Sequence, residues 1–109
     1  MKRVYVAGPY TKPDPCVNTR DAILMGDELW KMGLVPFVPH LTHLWHTVSP
    51  HPYEDWLAYD LHWLRVCHAL LRLPGESSGA DKEVDEAKRL GIPVFFTLDD
   101  LSHWVWSNA

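Results

Sequence analysis

The fold of this chain is decided by residues 73–87, LPGESSGADKEVDEA, where the end of a strand turns into a helix. The apolar positions of that helix form one stripe, made of Ala80, Val84, Ala87 and Leu90. Numbered from Gly79, Glu83 falls on the same side of the helix as this stripe. The Ser and Gly residues before it leave room for a ligand near the positive end of the helix, where a carboxylate can stay ionised. We therefore predict that Glu83 has a chemical role.

Outside this stretch, short β-rich runs alternate with helical patterns. The predicted strands are residues 3–7, 34–38, 69–73 and 92–97, and the predicted helices are residues 15–31, 53–66, 79–90 and 99–106. This order predicts an α/β fold, a Rossmann-like three-layer sandwich with a four-stranded parallel sheet in the order 2-1-3-4. Residues 39–52 read as an irregular loop of the kind that often covers a site.

Composition limits the classes of partner. The 109 residues are 47% hydrophobic and predict a single domain, residues 1–109. The net charge of -4 and the scattered Lys and Arg residues argue against a nucleic-acid polymer. No segment approaches membrane length, so we expect a cytoplasmic protein with no membrane partner. Cys16 and Cys67 have no metal-binding or redox spacing and are expected to be reduced thiols.

The predicted sheet places four chain segments at one edge. In an open parallel sheet, ligands bind beyond the carboxyl ends of the strands. The segments that follow the four strands are residues 8–11, residues 39–40, residues 74–79 and the residues after Thr97. We predict Gly8, Pro9, Tyr10 and His40 as ligand contacts on this basis.

A second acid repeats the pattern of Glu83. Asp60 lies on the same predicted helix side as a set of large apolar residues, namely Tyr53, Trp56, Leu57, Trp63 and Leu64. Either acid alone is ordinarily a rim residue or the partner of an Arg. Two acids that face one mouth suit glycosidic chemistry, in which one attacks the anomeric carbon and the other assists proton transfer.

Three motifs together are similar to a known family. They are VYVAGP at residues 4–9, DLHWL at residues 60–64 and S-x-G-x-x-x-E-x-x-x-A at residues 77–87. They resemble the nucleoside 2-deoxyribosyltransferase superfamily, including its deoxynucleoside 5'-monophosphate N-glycosidase branch. In the first loop that branch has Ser and Arg, whereas this chain has Pro9 and Thr11.

The resemblance implies roles for individual residues. Glu83 matches the nucleophile that forms a covalent deoxyribosyl-enzyme, and Asp60 matches the acid that assists the departing base. Tyr5 matches the tyrosine that positions the nucleophile, and Gly8 matches the loop glycine against which the ligand packs. Ser77 and Gly79 match positions that contact phosphate in the N-glycosidase branch.

The same resemblance implies an enzyme that cleaves or transfers at the N-glycosidic bond of a deoxynucleoside or its monophosphate. It implies a small-molecule partner and neither a metal nor an organic cofactor. The alternative is a nucleotide-binding or sensing module of the same fold without turnover. Members of that family form dimers or larger assemblies, and apolar residues lie near the end of this chain. The two observations together imply a homodimer or a larger homo-oligomer.

Several aromatic and polar residues allow more than one interpretation. His40, His43 and His46 recur every third residue, but no thiol or nearby acid completes a familiar zinc set, so we predict lid histidines and no metal site. Trp45 is predicted to contact the ligand and Trp30 to lie in the core. Asn18 is either a ligand contact or a buried, hydrogen-bonded amide.

Overall fold

The computed structural model of the chain describes residues 1–107, so residues 108–109 of the predicted domain lie outside the described residues. Four parallel strands form one sheet in the order β2-β1-β3-β4. The strands are β1 Arg3–Ala7, β2 Val35–Phe37, β3 Ala69–Arg72 and β4 Val94–Phe95. The helices are α1 Pro15–Lys31, α2 Thr42–Val48, α3 Tyr53–Leu64, α4 Ser78–Arg89 and α5 Leu98–Ser107. The predicted α/β class and strand order are confirmed.

Alternation along β1 and β3 builds the two hydrophobic layers, because successive side chains of a strand point to opposite faces. On one face, Val4 and Leu71 pack with residues of α1 and α5. On the other face, Tyr5 and Leu70 pack with residues of α3 and α4. The sheet is therefore covered on both sides, and α3 and α4 share the face that carries Tyr5.

The start and the end of α1 are set by capping residues in the local sequence. The carboxylate of Asp14 accepts hydrogen bonds from the backbone N–H groups of Cys16 and Val17, at 2.8 and 3.3 Å, and Pro15 occupies the first turn. After the helix, Gly33 adopts a φ of 82°, a conformation that favours glycine. These signals explain why the predicted bounds of this helix agree with the structure.

Two expectations are corrected by the fold. Residues 39–52 are not irregular, because they contain a 3-10 turn, Pro39–Leu41, followed by α2. Trp30 is 66% exposed and is not a core residue. The buried stripe of α1 consists of Ala22, Gly26 and Leu29. Trp30 lies about 100° around the helix from Leu29, outside this stripe.

No helix within residues 1–107 combines the length and the apolar character needed to cross a membrane. At the end of the described chain, Leu101 of α5 is fully buried, and Trp104 and Val105 pack partly against the core. Trp106 is 73% exposed.

Candidate active site

A cavity of about 820 Å³ lies at the carboxyl ends of the strands. Its walls come from the loop after β1, the 3-10 turn and α2, the start and middle of α3, and the first turns of α4. The structure brings most of the predicted site residues to this cavity, namely Gly8, Pro9, Tyr10, His40, Asp60, Ser77, Gly79 and Glu83. Parallel topology explains this for the segments after β1, β2 and β3, which meet at one edge, whereas no described residue after Thr97 lines the cavity.

Glu83 is a buried carboxylic acid on the inner face of α4. Its residue is 6% exposed, and one of its oxygens, Oε2, accepts a hydrogen bond from the hydroxyl of Tyr5. Burial raises the pKa of Glu83 to about 7, although the Tyr5 hydrogen bond and the positive charge of Arg72 both lower this pKa. Because Oε2 is held by Tyr5, the carboxylate has a fixed orientation.

Tyr5 lies beneath the cavity rather than in its wall. It is fully buried at the middle of β1, in the layer between the sheet and α4. Burial, followed by the charges of Glu83 and Asp60, raises the pKa of Tyr5 well above its usual value. Tyr5 therefore remains a neutral phenol and donates its proton to the carboxylate in a hydrogen bond.

Asp60 is a further acid in the cavity wall and projects from α3. Burial and the nearby charge of Glu83 raise the pKa of Asp60 to about 8. Within the described residues, its Oδ1 is buried without a hydrogen-bond partner. Because the hydrogen bond from Tyr5 and the charge of Arg72 both favour the ionised form of Glu83, Glu83 is the acid that ionises more readily and Asp60 the acid that keeps its proton. Such a difference between neighbouring carboxyl groups is typical of a nucleophile paired with a proton donor.

The amino end of α4 forms one side of the cavity. Ser77 caps the helix, since its hydroxyl accepts a hydrogen bond from the backbone N–H of Ala80 at 3.1 Å. A Cβ atom added at Gly79 would lie 2.9 Å from the hydroxyl oxygen of Tyr53. Gly8 is similarly constrained, because a Cβ there would lie 3.0 Å from the Cβ of Leu73. Packing therefore favours glycine at both predicted contact positions.

The loop after β1 is fixed by polar contacts. The side-chain amide of Asn18 donates to the backbone carbonyl oxygens of Tyr10 and Lys12, at 2.9 and 2.8 Å, so Asn18 is a hydrogen-bonded structural amide. His40 Nε2 lies 2.9 Å from the carbonyl oxygen of Pro9 and must donate, because a carbonyl oxygen only accepts. Burial lowers the pKa of His40. His40 is thus a neutral imidazole in the cavity wall.

Trp45 is not brought to the cavity. Its ring packs edge-on against Trp56 and Tyr59, at centroid distances of 5.2 and 5.7 Å, and lines a separate, smaller hollow. The tryptophan that lines the cavity is Trp56, whose indole N–H donates to His46 Nδ1 at 2.8 Å. Trp45 thus contacts Trp56 but does not itself line the cavity.

Sequence reasoning missed several cavity residues. These are Lys12, His51, Trp56 and Glu76, together with His46, which was predicted only as a lid histidine, and Tyr53, which was predicted only as an apolar residue on the helix side of Asp60. A signal for two of them was present, because Tyr53 and Trp56 precede Asp60 by seven and four residues on one helix. In the described part of the chain, no group of three or more His, Cys, Asp or Glu residues is placed to hold a metal ion.

Comparison with known proteins gives a family and a fold. Residues 2–97 match the model of a family described as "Domain of unknown function (DUF7768)". The chain belongs to this family. A search of curated proteins found no match.

Two solved structures share the fold of this DUF7768 domain. The 2-deoxyribosyltransferase of the psychrotolerant bacterium Bacillus psychrosaccharolyticus is 18% identical, with a TM-score of 0.61 over 84% of this chain and 69% of that protein. The 2-deoxyribosyltransferase of Leishmania mexicana is 19% identical, with a TM-score of 0.64 over 86% of this chain and 62% of that protein. At these identities the likeness establishes a common fold, and this chain spans about two thirds of either protein.

Proposed function

We propose that this DUF7768 domain cleaves or transfers at the N-glycosidic bond of a deoxynucleoside or deoxynucleoside monophosphate. The reaction proceeds through a covalent glutamyl-deoxyribosyl intermediate. One observation carries the proposal: Glu83 is oriented by Tyr5 and shares a cavity with a second acid, Asp60, whose pKa is higher. The common fold with two 2-deoxyribosyltransferases agrees with it.

In the first step, the free carboxylate oxygen of Glu83 attacks C1' of the sugar. The bond between C1' and the base nitrogen breaks, and its electron pair goes to the base. The base is protonated as it leaves by Asp60, which holds a proton at neutral pH because its pKa is about 8. Tyr5 keeps the other oxygen of Glu83 in a hydrogen bond throughout.

In the second step, Asp60 is a carboxylate and takes a proton from the attacking water or acceptor base. That nucleophile forms a bond to C1', the ester bond to Glu83 breaks, and the Glu83 carboxylate is restored. Water gives hydrolysis, and a second base gives transfer. Two displacements at C1' predict overall retention of the anomeric configuration.

We assign the binding of the rest of the substrate to the other walls of the cavity. A 5'-phosphate would bind near Ser77 and Gly79, which line the cavity at the amino end of α4. The loop residues Gly8, Pro9 and Tyr10, together with His40, would contact the sugar or base. In this proposal residues 1–109 form one catalytic domain.

The proposal is tested by base release from a panel of deoxynucleosides and deoxynucleoside 5'-monophosphates, followed by chromatography. The wild-type protein should release base from at least one substrate, and Glu83→Gln should release none. Asp85→Asn is the matched control, because Asp85 is an exposed acid on the same helix.

Two results would contradict the catalytic proposal. The first is base release by Glu83→Gln at the wild-type rate. The second is a thermal shift with a deoxynucleotide but no base release from any member of the panel, which would identify a binding module instead.

A further inference from the structure

Arg72 is a buried cation at the end of β3. The side chain of Arg72 is 9% exposed. In the sheet, Arg72 of β3 lies opposite Ala7 of β1. Leu70, two residues earlier, packs with Tyr5 in the layer beneath α4, so Arg72 lies on the same face of the sheet. A buried guanidinium is uncommon unless its charge and its N–H groups are paired. Arg72 therefore needs a physical explanation.

The guanidinium of Arg72 joins the turn after β3 to α4. It donates to the carbonyl oxygens of Leu73 and Gly75 and to Oδ1 of Asp81, at 2.9 Å for Gly75 and 3.1 Å for Asp81. Gly75 has a φ of +116°, and a Cβ there would lie 2.7 Å from Cγ of Pro9. The turn that Arg72 holds thus packs against the loop after β1, and both segments border the cavity.

The charge of Arg72 is only partly neutralised by Asp81, whose side chain is 68% exposed and hydrated. The buried acid on which Arg72 acts is Glu83, and its positive charge lowers the pKa of that acid. The titratable groups that face Glu83 are Tyr5 from β1, Asp60 and Tyr53 from α3, and Arg72 from β3. Of these groups, Arg72 is the one that carries a positive charge.

We propose that Arg72 is a positioning residue that clamps the turn between β3 and α4 and supplies a buried positive charge that favours the ionised form of Glu83. This proposal rests on the proposed role of Glu83 as nucleophile. It separates two properties of Arg72, the fork of N–H donors that holds the turn and the charge that acts on the carboxylate. A lysine keeps the charge and loses the fork, whereas a methionine loses both.

The test is a titration of the Glu83 carboxyl carbon by 13C NMR in protein labelled at glutamate, with the signal assigned from Glu83→Gln. In Arg72→Met the pKa of Glu83 should rise by about 1 unit, the lower end of the effect of a neighbouring opposite charge. In Arg72→Lys the pKa should stay close to the wild-type value. Arg89→Met is the control, because Arg89 lies on the exposed side of α4 and pairs with Glu86.

A second readout follows the clamp itself. Amide hydrogen exchange in residues 75–78 should accelerate about tenfold in Arg72→Lys, because the donor fork that fixes the turn is lost. An unchanged pKa of Glu83 in folded Arg72→Met would overturn the proposal, as would equal shifts in Arg72→Met and Arg72→Lys. If Arg72→Met does not fold, Arg72→Lys decides alone: a shifted pKa, or unchanged exchange in the turn, overturns the proposal.

These measurements need no turnover, so they are independent of the proposed reaction. Failure of the titration removes the role of Arg72 and leaves base release untouched. Failure of base release removes the proposed function and leaves the titration untouched. Where base release is found, the acidic limb of its pH–rate profile should move up by about 1 pH unit in Arg72→Met, which is about a tenfold loss of rate at pH 6.

Discussion

Asp60 and Glu83 are the residues on which the chemistry depends, and their pKa values define the pH at which it can proceed. The rate should fall below about pH 7, where Glu83 gains a proton, and above about pH 8, where Asp60 loses one. A pH–rate profile of base release should therefore be bell-shaped with its maximum between these values. A rate that rises steadily to pH 10 would contradict Asp60 as the proton donor.

The same pKa shifts affect stability. Both acids have a folded pKa raised above the ordinary values of 3.8 and 4.5, so the folded chain binds more protons than the unfolded chain between about pH 4 and pH 8. The free energy of unfolding should therefore decrease as pH rises through this window. Asp60→Asn removes one of the two groups and should show a smaller decrease.

Urea unfolding at pH 5 and pH 8 tests this expectation. At pH 8, the free energy of unfolding of Asp60→Asn should be higher than that of the wild type by about 1 kcal/mol or more. The rate of base release by the same variant should be at least about 100-fold lower. Asp55→Asn is the matched control, because Asp55 is an exposed acid on the same helix. An identical pH dependence of stability in the wild type and in Asp60→Asn would show that Asp60 is not destabilised by burial.

Glu83 and Asp60 could be predicted as candidate site residues, because helical spacing places each of them on the same helix side as a set of apolar residues. The contact between Tyr5 and Glu83 could not be worked out from spacing, because it joins residues 78 positions apart; the family resemblance supplied it. Arg72 had a signal, since it is a charged residue in an apolar strand, but the acceptors that explain it lie in a turn whose geometry the sequence does not specify.

Among the elements, α2 was the one that periodicity could not predict. It has seven residues, none of them buried, and no side-chain cap at its start. An element without a buried face has no apolar period to detect. Contacts between α2 and α3 orient Trp45 and Trp56. The sequence does not specify these contacts, so Trp45 could not be distinguished from Trp56 as the residue that lines the cavity.

The approach of α3 to α4 leads to a prediction at Gly79. In Gly79→Ala the new methyl group would displace the Tyr53 hydroxyl into the cavity, so ligand binding should weaken several-fold even though alanine favours a helix by about 0.5–1 kcal/mol. Adding Tyr53→Phe removes the hydroxyl and should restore part of the binding. The measurement is the ligand concentration that gives a half-maximal thermal shift in the two single variants and in the double variant. Equal weakening in Gly79→Ala with and without Tyr53→Phe would contradict this contact.

Helices cover both faces of the sheet, and α5 exposes a large apolar side chain near its end. Trp106 is 73% exposed on α5, so the predicted homo-oligomer stays a prediction that light scattering can check. The wild type should have the mass of a dimer or a larger assembly, and Trp106→Glu should shift the distribution toward the monomer. A wild-type monomer at about 100 µM would contradict the prediction, since that concentration exceeds the dissociation constant of a stable dimer.

The central claim is that Glu83 forms a covalent bond to the sugar. Its most direct test is rapid acid quenching during base release, followed by intact-protein mass spectrometry and peptide mapping. We expect one added deoxyribosyl group per chain, located on the peptide that contains Glu83 and absent from Glu83→Gln. Base release by the wild type with no adduct at any time, or with an adduct on a residue other than Glu83, would contradict the account.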